Sequence, residues 1–355
     1  MNKYAANTEP FKPVILTGDR PTGPLHLGHY VGSLLNRVKM QDTHDQYILV
    51  ADMQALTDNA ENPEKVSDNV LEVVADYLAV GIDPCKTKIV LQSQLADIAL
   101  LYMIYSNLVT VARVERNPTV KEELKQKGME RDIPLGFFSY PVSQAADITA
   151  FKATVVPVGQ DQLPMIEITN EIVRRFNRVY DCNVLVEASA LVPKVGRLPG
   201  IDGKAKMSKS MGNAINLKAT PKEIEHAVKQ MYTDPLHVCV SDPGHIEGNV
   251  VFAYLDVFDP DTEALDEIKD HYRRGGLGDG VVKKRLNGIL QDIIAPIRSE
   301  RTRLEKDPAE IIRAINAGTQ KANEIVASTL SEVKSAMGIN YAKNWSKHLK
   351  LSGPK

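Results

Sequence analysis

Short β-branched apolar runs alternate with helix-period stripes over the first half of the chain, and the runs stop after about residue 210. The first, Val14 to Leu16, predicts a buried strand. A polar turn rich in Gly and Pro follows it, then an apolar-periodic helix from near Gly28. Tyr47 to Ala51 predicts a second strand, closed by Asp52. Asn62-Pro63-Glu64 reads as a helix start, with Asn62 as the cap and Pro63 at the first position. Its stripe is Val66, Val70, Val73, Val74, Tyr77 and Leu78, and Gly81 ends it. Ile89 to Leu91 predicts a third strand and Asp97 to Leu108 a helix. Glu115 to Leu135 is dominated by Arg, Lys and Glu and predicts a charged, mobile connecting segment. Apolar character returns at Phe137 to Tyr140, and Ser143 is placed to cap a helix through Gln144, Asp147 and Phe151. Val155 to Val158 predicts a strand, followed by a long helix that turns Ile166, Ile172, Val173 and Phe176 inward.

Strands alternating with helices at this rhythm predict a parallel sheet with crossover helices, whose ligands bind beyond the carboxyl ends of the strands. The turn after Leu16 is such a place. Past Ser210 only helices are predicted: Pro221 to Met231, Glu263 to Tyr272, Val281 to Glu300 and Pro308 to Met337. The reading is therefore an α/β fold with a Rossmann-type parallel sheet and an all-helical C-terminal domain. The boundaries fall at 1–212, with the connecting segment at about 109–140, then 213–337, then a basic tail at 338–355.

At 355 residues, with 43% apolar and 25% charged residues, the chain has the composition of a globular protein able to bury a sizeable core. Cys85, Cys182 and Cys239 are odd in number and lack metal-ligand spacing, which predicts a reducing compartment and no tightly bound metal. Met1 to Pro10 is polar, unlike a signal peptide, and no apolar run approaches membrane-spanning length. A cytoplasmic protein without a membrane partner is the expectation. The formal net charge of −2 gives no global basic signature, so any nucleic-acid contact must be local. Arg273-Arg274, Lys283-Lys284-Arg285 and Arg298, Arg301, Arg303 are candidate phosphate contacts, or solvated helix faces.

The candidate chemistry begins at His26-Leu27-Gly28-His29. A strand, a glycine-bearing turn and a helix start make an anion site, because the first backbone N–H groups of a helix have no partner within it. Two imidazoles there could donate to phosphoryl oxygens, although two surface histidines beside a glycine also fit. Far downstream, Lys206-Met207-Ser208-Lys209-Ser210 lies among Gly196, Gly200, Gly203 and Gly212. Two lysines and two hydroxyls on a glycine-rich loop suit a clamp on pyrophosphate; a solvated basic loop is the plainer alternative. Gly159-Gln160-Asp161-Gln162 repeats the strand–glycine–helix order and suits a ribose or phosphate contact, or a simple turn.

The His and Lys motifs together, in this order, resemble the two signatures of class I aminoacyl-tRNA synthetases. Longer stretches resemble the bacterial tryptophanyl-tRNA synthetases, over about Val14 to Tyr341: Thr17 to Gly23, Tyr77 to Pro84, Tyr140 to Ile148, Val156 to Gln162 and Leu330 to Gly338. The resemblance implies a tryptophan–tRNA ligase: a catalytic domain, a helical anticodon-binding domain, a homodimer, and ATP with Mg²⁺, L-tryptophan and tRNA(Trp) as reaction partners. It implies ATP contacts by Arg20, Pro21, Thr22, Gly28, His29, Leu198, Lys206, Met207, Ser208, Lys209 and Ser210, and a ribose approach by Gly159, Gln160 and Asp161. His26, His29, Lys206, Lys209 and Lys121 would serve phosphate chemistry. Asp147 matches the carboxylate that accepts the indole N–H, with Tyr140, Gln144 and Gln54 beside tryptophan. Three features depart from the pattern: Gln144 stands where many of these enzymes have Met, Gln160 replaces a common Glu, and His26 and His29 replace Thr and Asn. Tyr140, Gln144 and Asp147 at this spacing also fit a tyrosyl enzyme.

Overall fold

The computed structural model describes residues 12–128, 132–192, 198–204, 207, 211–341 and 345–346. Strand β1 (Val14–Asp19) leads into a short helix α1 (Leu27–His29), a π-helical stretch (Tyr30–Leu34) and α2 (Leu35–Met40). Then come β2 (Asp45–Val50), α3 (Asp52–Ala55), α4 (Pro63–Ala79), β3 (Thr87–Leu91), α5 (Ala96–Ser106), α6 (Val111–Glu115), α7 (Pro118–Lys127) and α8 (Leu135–Ala150). The sheet is completed by β4 (Val155–Pro157), α9 (Leu163–Val179) and β5 (Ser189–Leu191). Every later described element is a helix: α10 (Pro221–Gln230), α11 (Val250–Phe258), α12 (Thr262–Arg274), α13 (Asp279–Lys306) and α14 (Ala309–Ala336).

The sheet is parallel throughout, in the order β3-β2-β1-β4-β5. The strand order reverses at β1, and the chain passes to opposite sides of it through β2 and β4. A crevice opens beyond the strand ends at such a switch point. Strand β1 pairs with β2 from Val14 opposite Asp45 to Asp19 opposite Val50, which sets both strand ends level at that crevice.

The α/β class and the helical C-terminal region agree with the sequence reading, and the differences have local causes. Helix α8 starts at Leu135, directly after Pro134, and runs through Pro141, so Ser143 lies mid-helix and caps nothing. The connecting segment is not without structure: Asn117 caps α7 by accepting from the Thr119 and Val120 amides. Val120 packs with Tyr140 and Met165, which anchors a helix whose other faces are charged. Helix α11 and strand β5 carry too little apolar periodicity to be read from sequence. The π-helical stretch is likewise silent in the pattern. It inserts an extra residue per turn, as at many functional sites, and presents Gly32 and Ser33 to the crevice.

The helical half does not form a separate core. Leu25, Leu27, Val31 and Leu34 bury against Leu286, Leu290, Ile294 and Ile315 of α13 and α14. On the other side, Ala322, Val326, Leu330 and Val333 of α14 join the cluster of Leu16, Leu49 and Val90. Helix α14 closes on the sheet edge: Thr319 Oγ1 accepts from the Leu91 amide at 3.1 Å, and Gly318 lies against the backbone of Ile89. A methyl group at 318 would stand 2.2 Å from the Ile89 carbonyl oxygen, which the sheet holds in place. Gly318→Ala therefore destabilises the protein by about 2 kcal/mol despite alanine's better helix propensity. Denaturant unfolding measures this, and an unchanged or raised midpoint would contradict the packing.

Candidate active site

A cavity of about 310 Å³ occupies the crevice. Its walls come from the ends of β1 (Leu16 to Arg20) and β4 (Val156 to Gly159), the π-helical stretch, and Gln54, Gln144 and Asp147.

His26, Gly28 and His29 do not line the cavity but immediately precede the π-helical stretch that does, and His29 lies near enough to the lining Asp19 to lower its carboxyl. The His turn is locked by reciprocal hydrogen bonds. His26 Nδ1 accepts from the Gly28 amide at 3.1 Å, and His29 Nδ1 accepts from the His26 amide at 3.3 Å. With both Nδ1 atoms accepting, the neutral imidazoles carry their protons on Nε2. The rings lie 3.9 Å apart. Two N–H donors on rings at this spacing, tilted by 50°, suit neighbouring oxygens of a polyphosphate. Gly28 is required by closeness, since a Cβ there would come within 2.9 Å of His26 Cε1 and 3.5 Å of Met207 Sδ.

That second neighbour joins the motifs. Met207, at the centre of the Lys motif, places its sulfur 3.3 Å from the Gly28 amide, and its own amide donates to the Leu198 carbonyl at 3.4 Å. Just beyond the motif, the chain pairs antiparallel with the His turn: the Leu27 amide donates to Ile215 O and the Leu217 amide to Leu25 O, at 2.9 and 3.0 Å. Residues almost two hundred positions apart are thus stitched together just before the stretch that lines the cavity. Lys206, Ser208, Lys209 and Ser210 lie outside the described residues.

Asp147 lines the cavity and is 2% exposed. Gln92 Nε2 donates to both its oxygens, at 3.0 and 2.9 Å. Burial pushes this carboxyl up to about 7, and the single neutral donor opposes that only partly. Gln92 is itself oriented, because its Oε1 accepts from the Gln54 amide at 3.1 Å. Sequence reasoning missed Gln92; its place directly after β3 is the only signal. Gln144 Oε1 is buried and has no hydrogen-bond partner among the described residues. Tyr140 does not line the cavity. It packs in the cluster with Val120 and Met165, and burial, then the Glu123 charge, drives its phenol far up.

The remaining candidates divide. Gly159 and Arg20 line the cavity, and Arg20 also pairs with Asp58 at 3.2 Å. Pro21 is buried and Thr22 half-buried in the turn that follows. Gln160 and Asp161 are exposed at the rim, where Asp161 O accepts from Thr119 Oγ1 at 2.6 Å. Leu198 is buried. Lys121 is exposed on α7 and does not line the cavity. Asp19, Ser33 and Arg37 do line it and were not picked out. Burial alone would raise Asp19, but Arg37 first, then His29 and the Tyr77 hydroxyl, hold it at about 2. Arg37 and Tyr77 each donate to its Oδ2 at 2.7 Å. Among the described residues, no group of three or more His, Cys, Asp or Glu is gathered to hold a metal.

The family model for class I tRNA synthetases of tryptophan and tyrosine matches residues 8–295. The chain belongs to this family. It is 60% identical over 337 residues to a tryptophan–tRNA ligase of Clostridium longisporum, covering 94% of this chain and 99% of that one. A tryptophan–tRNA ligase of Streptococcus pyogenes is 55% identical over 337 residues, covering 93% and 99%. The tryptophanyl-tRNA synthetase of Campylobacter jejuni, solved with ADP and tryptophan, superposes with a TM-score of 0.81 at 29% identity, covering 92% of this chain and 99% of that chain.

The isolated state of Asp147 has a measurable consequence. An acid whose folded pKa is raised, here from the ordinary 3.8 to about 7, costs stability. That cost is absent at low pH, grows as the unfolded carboxyl ionises first, and is complete above pH 7. Asp147→Asn is therefore expected to raise the unfolding midpoint at pH 8 and to leave it nearly unchanged near pH 4. The opposite ordering would mean that Asp147 is well paired in the empty site.

Proposed function

We propose that this chain activates L-tryptophan with ATP, forming tryptophanyl-adenylate and pyrophosphate, and then transfers tryptophan to the 3′ end of tRNA(Trp). The observation that carries the reading is the seating of Met207 against Gly28, which joins the centre of the Lys motif to the His turn, four residues before the Gly32 and Ser33 that line a cavity shared with Asp147. Relatives at 53–60% identity that carry the name tryptophan–tRNA ligase support the choice of amino acid.

In the first step a tryptophan carboxylate oxygen attacks the α-phosphorus in line, and the bond to the bridging oxygen breaks to release pyrophosphate. In the second, a ribose hydroxyl of the tRNA attacks the acyl carbon and AMP leaves. Neither step needs a covalent enzyme intermediate, so catalysis rests on positioning and on stabilising developing charge. His26 and His29 donate through Nε2–H to phosphoryl oxygens. Lys206 and Lys209, with Ser208 and Ser210, hold the leaving pyrophosphate, and Mg²⁺ arrives with ATP as part of the substrate. Arg20 to Thr22, Gly28, Leu198 and Met207 line the nucleotide's path, Gly159 to Asp161 take the ribose, and Lys121 reaches phosphate from α7. Asp147 accepts the indole N–H, with Gln54 and Gln144 beside it; Tyr140 acts from behind, through the helix it shares with Asp147 and Gln144.

The helices at 213–337 serve as the anticodon-binding domain, the sheet half at 1–212 as the catalytic domain, and 338–355 as a tail. Most of the candidate cations there are already engaged: Arg285 with Asp259 at 2.5 Å, Arg303 with Glu300 and Glu310, and Lys283 with the Lys229 and Met231 carbonyls. Arg274 and Lys284 are exposed and are the better phosphate contacts. The active form is a homodimer. Leu100 and Met103 stand exposed one turn apart on α5, and Val111 on α6, where a second copy would cover them. The free cysteines, with Cys85 and Cys239 exposed, support work in a reducing cytoplasm. Among the described residues no helix is long and apolar enough to cross a membrane.

Tryptophan-dependent ATP–pyrophosphate exchange, run beside tyrosine without tRNA, tests the reading. Exchange with tryptophan alone is the expected result, whereas exchange with tyrosine alone would make this a tyrosyl enzyme. A buried acceptor built for an N–H should reject phenylalanine by roughly 10⁴-fold or more. Tryptophan affinity should be full at pH 8 and fall about tenfold per pH unit well below 7, as Asp147 takes up its proton; a flat profile would remove Asp147 from indole recognition. Met103→Glu should convert the dimer to monomer in sedimentation, and an unchanged dimer would place the interface elsewhere.

A further inference from the structure

Arg301, on α13, is 1% exposed although it carries a full charge. Its guanidinium donates to Asp76 Oδ1 at 2.5 Å and the Glu72 carbonyl at 2.8 Å through one nitrogen, and to Glu72 Oε2 at 2.7 Å and Glu305 Oε1 at 2.9 Å through the other. Each carboxylate on α4 passes the contact onward. Asp76 Oδ2 accepts from the Leu25 amide at 2.7 Å, one residue before His26. Glu72 Oε2 accepts from Lys218 Nζ at 2.7 Å, two residues after Asn216, which bridges His26.

We infer that Arg301 is a positioning residue for the nucleotide site: from the helical half of the chain it fixes the backbone on both sides of the junction where the His and Lys motifs meet. The inference rests on the proposal that ATP binds at this junction. The geometry favours positioning over plain stabilisation. Arg301 and Asp76 are too deeply buried to touch a ligand, yet Asp76 holds the amide that sets where the His turn begins, and Lys218 anchors the strand paired with it. Burial, with the Glu72 charge adding to it, raises the Asp76 carboxyl to about 6 even with Arg301 and Leu25 opposing. Without Arg301 it would take up a proton and hold Leu25 more weakly. The adenylation site is thereby tied to the helix that also packs the anticodon half, so a displacement of α13 would be felt at the phosphates.

The test compares Asp76→Asn, Arg301→Lys and Arg301→Met with the parent enzyme in ATP–pyrophosphate exchange, with tryptophan affinity measured separately by equilibrium dialysis. Lys152→Ala is the control, since the Lys152–Glu332 pair at 2.7 Å also joins the sheet half to α14 but lies away from the cavity. The expected result is a KM for ATP raised roughly tenfold or more in Asp76→Asn and Arg301→Met. Arg301→Lys should recover part of the loss, and tryptophan affinity should stay within about twofold, because the Asp147 side of the cavity is untouched. The control should keep the parent KM. A lowered unfolding midpoint with an unchanged KM for ATP, or equal losses toward ATP and tryptophan, would overturn the inference. If Arg301→Met fails to fold, the other two variants decide by the same criteria. A parent enzyme that shows no amino-acid-dependent exchange would instead fault the proposed function.

Discussion

Two backbone hydrogen bonds, Leu27 to Ile215 and Leu217 to Leu25, hold the His turn to the later half of the chain. They join the histidine turn on the first crossover to the segment that follows the lysine motif late in the chain. Loop closure over such a separation costs entropy that one short antiparallel pair cannot offset. The offset comes from what flanks it: Leu25 and Leu27 sink fully into the cluster shared with α13 and α14, and Ile215 and Leu217 follow them. The site therefore depends on the helical half being in place. This explains why the core does not divide at the end of the sheet: a cleavable boundary there would leave the Lys motif without an anchor.

Three buried carboxylates around this framework show how environment sets function. Asp19 meets Arg37 and the Tyr77 hydroxyl and stays near 2. Asp76 meets Arg301 and a backbone amide yet rises to about 6, because its burial is deeper than its partners offset. Asp147 has only the Gln92 amide group and rises to about 7. The first two are structural, and their charges are answered within the protein. The third, held by one neutral donor, is left with capacity to accept, facing a cavity, near a Gln144 oxygen that has no partner among the described residues. Polar groups that a fold leaves short of partners are costly unless something else supplies them. A ligand that brings an N–H donor to this place is that supply, and the reason such a site discriminates by hydrogen bonding as well as by volume.

Much of this was legible in the chain because the responsible signals are local. Val14 to Leu16 and Tyr47 to Ala51 read as strands from β-branched and apolar runs, and Asn62-Pro63 announced α4 by cap chemistry alone. The His turn could be read because His26, Gly28 and His29 act through their own backbone neighbours. Where the reading failed, the cause was tertiary. Pro134 leads into α8 and Pro141 is carried inside it, so the helix begins well before the Ser143 that was read as its cap. The charged segment around α7 is held on its buried side by Thr119, Val120 and the partly buried Leu124, too few residues to leave a periodic signature. Gln92 escaped because nothing in its neighbours says that its amide will be fixed by Gln54 and aimed at Asp147. Arg301 escaped for the opposite reason: it stood in a basic cluster, and a cluster reads as surface until the carboxylates of α4 are brought to it.

The tyrosine alternative raised by Tyr140, Gln144 and Asp147 turns on which way these side chains face, and spacing on a helix cannot settle that. Positions 140, 144 and 147 share one face of an ideal helix, yet Tyr140 packs toward α7 and α9 while Gln144 and Asp147 border the cavity. The divergence arises because α7 is there: Val120 and Met165 provide an apolar seat that the tyrosine ring fills, and Phe137 meets it edge-on at 5.7 Å between centroids. With the phenol withdrawn, the cavity keeps one ionisable acceptor and one amide at this face, a pairing suited to an N–H and a flat apolar ring. The same segment that the charge pattern marked as a connector therefore shapes the proposed amino-acid pocket, by holding a tyrosine out of the cavity.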